Sequence, residues 1–96
     1  MATEHERIYD GNRAKEVLEN EQFQAAFAAI EKEIIDKWTN SPARDAEGRE
    51  SLWNYLMLLR KVKAHLTETL DTGKLAEMDL RHKQSLADRM KNGLGL

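Results

Sequence analysis

The sequence predicts an all-α protein, and three observations carry that expectation. One proline and five glycines interrupt 96 residues. Ala, Leu, Glu, Lys, Gln and Arg, which fix little side-chain freedom in a helix, dominate the remainder. Apolar residues recur at steps of three and four, with almost no period-two alternation to support a strand. A chain of this length has room for a single small domain spanning 1–96, and a core this small often relies on a partner for stability.

Taken in order, the elements are as follows. Residues 1–11 are polar without a sustained period and are expected to be a loose tail, with order beginning near Gly11 or Asn12. A short helix is expected over about 13–19, where Ala14, Val17 and Leu18 share a side, and Asn20 either closes it or caps the next. The clearest helix covers about 21–39. There Phe23, Phe27, Ile30, Ile34 and Trp38 form one stripe, and the alanines at 25, 26, 28 and 29 keep the helix thin around Phe27. Pro42 stops it, because proline disfavours helical geometry at the residue before it.

Asp45 is a plausible N-cap for a further helix over about 46–71, with Glu47 and Glu50 complementing the helix dipole. Its stripe is Leu52, Trp53, Leu56, Leu59, Val62, Leu66 and Leu70, and Gly73 is placed to terminate it. These two long helices, joined by a short turn, are expected to form an antiparallel hairpin, with Trp38 and Trp53 packed near the same end. A weaker helix over about 74–91 follows, its apolar residues scattered, and 92–96 should fray into a second loose tail.

Composition excludes several kinds of chemistry. Without cysteine there is no disulfide, no thiolate nucleophile and no Cys-based zinc site. The opening MATEHERIYDGNR has acids and no apolar segment of the kind a signal peptide needs, and no stretch approaches a membrane span. A cytoplasmic setting follows as the expectation, with no membrane partner. Charge is uneven: residues 1–40 hold nine acids against five Lys or Arg, whereas residues 41–96 hold eight against ten. That permits a basic face on the later helices and falls short of a dedicated nucleic-acid binder.

Candidate sites are few. His5, His65 and His82 share no ligand spacing, and the His65–Glu68 pair lacks a matching second half, so no metal, cofactor or catalytic residue is expected. Gly73-Lys74 lacks the upstream glycine and the following hydroxyl of a phosphate loop. The chain is therefore expected not to be an enzyme and to have no small-molecule substrate. Arg60, Lys61 and Lys63, with Arg81 and Lys83 further on, would contact phosphate if they converged; otherwise they are solvated faces. Arg44, Asp45, Arg49 and Glu50 cluster at the turn and are candidates for contact with a partner, or simply set the hairpin geometry. The stripe residues named above are expected to be core or interface.

The run Arg13-Ala-Lys-Glu-Val-Leu-Glu-Asn20, followed by Phe23, Phe27, Ile30-Glu31, Pro42, Arg44-Asp45, Gly48-Arg49-Glu50, Leu52-Trp53 and Val62-Lys63-Ala64-His65-Leu66, resembles small helical proteins of tailed bacteriophages and prophages encoded among head and DNA-packaging genes. The resemblance spans about Arg13 to Leu75 and carries no catalytic residues. It departs from that pattern at Glu21, where such sequences often have proline. It implies a virion or assembly component that binds itself or another phage protein. A nucleic-acid-binding packaging or regulatory accessory, or an inhibitor of a host enzyme or host defence, is the alternative.

Overall fold

The computed structural model describes residues 3–93, which form three helices: α1, Glu4–Glu19; α2, Glu21–Thr39; and α3, Ala46–Gly93. No strand occurs among the described residues. The all-helical expectation holds, and the two long elements begin where the sequence placed them.

The first correction concerns residues 1–11. Residues 4–11 are not a tail but the first half of α1, while 1 and 2 lie outside the described residues. The start is set by Thr3, whose Oγ1 accepts a hydrogen bond from the Glu6 N–H at 3.1 Å. Thr3-x-x-Glu6 is the capping-box spacing, and Glu4 and Glu6 put negative charge where the helix dipole favours it. Gly11 is thus the middle of a helix and not its threshold.

Asn20 does both tasks expected of it. Its backbone is extended, with φ −67° and ψ 125°; its N–H donates to the Val17 carbonyl and its Oδ1 accepts from the Phe23 N–H at 3.0 Å. One residue therefore ends α1 and caps α2. Gln24 reinforces the junction by donating from Nε2 to the Leu18 carbonyl at 2.9 Å.

The second correction concerns Gly73. It does not end a helix: α3 runs through it unbroken for 48 residues, so the separate helix expected over 74–91 is the continuation of α3. Asn92 and Gly93 belong to α3 as well, and 94–96 lie outside the described residues. Gly73 fits this position because of what lies against it. A Cβ there would sit 2.8 Å from the Arg7 carbonyl oxygen and 2.9 Å from the Gly11 Cα, and a Cβ on Gly11 would meet the Gly73 Cα at 2.9 Å. Two helix backbones touch here, which only glycine allows.

The contacts between elements follow one order. Glu4 meets Lys83, Gly11 meets Gly73, Glu31 meets Arg60 and Arg49 reaches the carbonyl of Trp38. α1 thus packs on the later half of α3 and α2 on the earlier half. At 1.5 Å per residue α3 is about 72 Å long, and it sets the molecule's 77 Å long axis. The radius of gyration is 21.5 Å, against about 12.5 Å for a compact domain of this length.

Burial is correspondingly thin. Gly11, Ala14, Gly73 and Ala76 are the buried positions among the described residues. They lie at the α1–α3 crossing, spaced Gly-x-x-Ala on both helices. Of the expected core or interface set, Phe23, Phe27, Ile34, Leu52, Leu56, Leu59 and Leu66 are half-buried, whereas Ile30, Trp38, Trp53 and Val62 are exposed.

Candidate interaction surface

The turn between α2 and α3 is held by its own residues. Asn40 and Ser41 close α2: the Asn40 N–H donates to Asp36, and Ser41 donates from N–H and Oγ to the Trp38 carbonyl. Asp45 opens α3 by accepting from the Gly48 N–H at 3.0 Å, and a side chain at Gly48 would collide with that carboxylate. Arg49 stacks its guanidinium 4.2 Å from the centroid of the Trp38 ring and donates to Ser41 Oγ at 2.9 Å. Two of the four candidate partner contacts, Asp45 and Arg49, therefore have partners inside the chain, and Arg44 and Glu50 remain exposed.

The candidate phosphate contacts do not come together. Arg60 pairs with Glu31 at 3.6 Å, and the Lys63 ammonium lies 4.9 Å from the centre of the Phe27 ring. Arg81 pairs with Glu77, and Lys83 with Glu4 and Asp79. Lys61 is exposed. Because both groups ride on one continuous helix, some 20 residues of rise hold them about 30 Å apart. Lys83 bonds the Glu4 carboxylate, which raises its pKa above the usual 10.5; Asp36 does the same for Lys32. Both lysines lie in solvent, where such pairs contribute little. No group of three or more His, Asp or Glu residues able to hold a metal occurs among the described residues.

What the surface does present is apolar. On one flank of the α2–α3 pair, Ile34, Ile35, Trp38, Leu52, Trp53 and Leu56 line an open depression, so the two tryptophans lie at the same end of the pair. On the opposite flank a shallow groove runs between the helices, lined by Ile30, Leu52, Tyr55, Leu58, Leu59 and Val62, with Glu33 and Lys37 on its rim. In that groove Tyr55 is 60%, Leu58 61% and Val62 50% exposed. Sequence reasoning put Val62 on the stripe and missed Tyr55 and Leu58. The signal was available, since 55, 58 and 62 keep the three–four step on a second side of the same helix.

No helix among the described residues is long and apolar enough to cross a membrane. Comparison of the chain with protein-family models, with curated proteins and with solved structures gives no match.

Proposed function

We propose that this chain is a non-enzymatic protein-interaction module, working through the apolar flanks of an antiparallel α2–α3 hairpin. The observation that carries the reading is the exposure of Tyr55, Leu58 and Val62 on consecutive turns of one flank of α3, with Trp53 exposed on the other. Grouped apolar surface of that kind marks contact sites in folded proteins, because water contact costs about 25 cal/mol per Å². The reversed order of contacts along α3, from Glu4–Lys83 to Glu31–Arg60, supports the hairpin geometry. A role in phage particle assembly is the setting that the sequence resemblance favours, and the partner is then a component of that assembly.

An apolar dye whose emission rises on leaving water tests the reading. The wild-type chain should enhance its emission, and Trp53→Glu should reduce the enhancement while circular dichroism shows the helices intact. A wild-type chain that leaves the dye dark and has the mass of a single copy in solution behaves as an ordinary closed monomer and overturns the proposal.

A further inference from the structure

The groove beside Tyr55 continues a row that is already in use. Along α3, Tyr55, Leu58, Val62, Leu66, Thr69, Gly73, Ala76 and Leu80 follow one another at steps of three and four, the spacing that keeps residues on one slowly turning side of a helix. From Thr69 onward this row is covered by α1: Gly11 sits against Thr69 and Gly73, and Ala76 is buried. The same row is bare over Tyr55, Leu58 and Val62, because the chain turns at Asn20 and sends α2 down a different side of α3. Half of one helix-packing row thus has its helix and half does not.

Area gives the size of what is missing. A compact monomer of 11.1 kDa exposes about 5,700 Å², and this chain exposes 7792 Å². The excess of about 2,100 Å² lies within the 1,000–2,500 Å², roughly, that each partner covers in an obligate homodimer. Part of it is the overhang of α3 beyond Lys83, with Leu86 and Met90 exposed, and part is Leu75 and Met78 beside the α1 crossing; the part that lies on the packing row itself is the Tyr55 groove.

From these two observations, and building on the interaction reading above, we propose that the occupant is a second copy of this chain. The α3 helices meet antiparallel across a two-fold axis near Leu58, so that α2 and α3 of both copies form a four-helix bundle. The row suits such an axis. Leu58 lies between Tyr55 and Val62, so antiparallel pairing sets the large Tyr55 of one copy against the small Val62 of the other, twice. No charged side chain interrupts the row between 55, 58 and 62, and Ile30 of α2 borders the groove.

Light scattering after size exclusion, at about 5 and about 200 µM, tests this, because a dimer responds to concentration through mass action. The full chain should show twice its 11.1 kDa mass. Leu58→Glu should weaken association by more than about a hundredfold, since it places a charge at a desolvated centre. Trp53→Glu, on the opposite flank, should leave the dimer intact. Monomeric mass at both concentrations overturns the proposal: with dye enhancement retained, the interaction surface stands and takes a different protein, and without it both readings fall. A dimer that survives Leu58→Glu but breaks with Trp53→Glu also overturns it, placing the contact on the tryptophan flank. Should Leu58→Glu fail to fold, Tyr55→Lys and Val62→Lys repeat the test at the row's ends.

Discussion

Gly73 shows how one position can oppose two ordinary preferences. In an exposed helix, glycine to alanine gains about 1 kcal/mol of helix propensity. At Gly73 the added methyl meets the backbone of α1 at Arg7 and Gly11, which cannot rotate aside as a side chain can. Gly73→Ala should therefore destabilise the chain by about 1–3 kcal/mol, lowering the thermal midpoint measured by circular dichroism. Gly93→Ala, with open space around it, should not. At the turn, Arg49→Ala removes the stack on Trp38 and the bond to Ser41, a loss of about 1–2 kcal/mol, and should shift tryptophan emission to the red as the Trp38 ring gains water. For Lys83 the sign follows from its raised pKa. Its pairing with Glu4 favours the folded chain below the unfolded value near 10.5 and is lost as pH climbs through the higher folded value. Lys83→Met should accordingly lower the thermal midpoint only slightly at neutral pH, the small gap closing in alkali and in high salt.

Among the elements, α2 and the start of α3 were legible in the sequence because large apolar residues mark them: Phe23 to Trp38 on one, Leu52 to Leu66 on the other, with Asn20, Pro42 and Asp45 as punctuation. α1 and the far half of α3 were legible only as shorter, separate helices over 13–19 and 74–91, because they pack through Gly11, Ala14, Gly73 and Ala76, which leave no trace in a hydrophobic periodicity. Glycine in that setting reads as a breaker, and the same residue that suggested a stop at 73 is the reason a helix crosses there. Thr3 and Glu6 mark the start of α1, but between them and Gly11 only Ile8 and Tyr9 are apolar, too few to show a helical period. The groove was half legible: Val62 belongs to the expected stripe, while Tyr55 and Leu58 lie one turn-side away from the residues that α2 covers. At the α1–α2 break, Asn20→Ala removes the cap of α2 and should cost about 1 kcal/mol, visible as lost protection from hydrogen exchange in the first turn of α2.

At the scale of the whole molecule, the order of contacts makes α1 the dependent part. Gly11 meets Gly73 across 62 residues of chain, whereas α2 and α3 are neighbours joined by a short turn. Closing the longer loop costs more entropy, so α1 should dock after the α2–α3 pair has formed. That nothing larger than alanine is buried among the described residues has a calorimetric consequence. Heat-capacity change on unfolding reports the apolar surface newly given to water, and 96 residues of ordinary packing would yield about 1.2–1.4 kcal/mol/K. A single copy of this chain already wets much of its apolar surface while folded. Its stability curve should be correspondingly shallow, with little curvature between cold and heat.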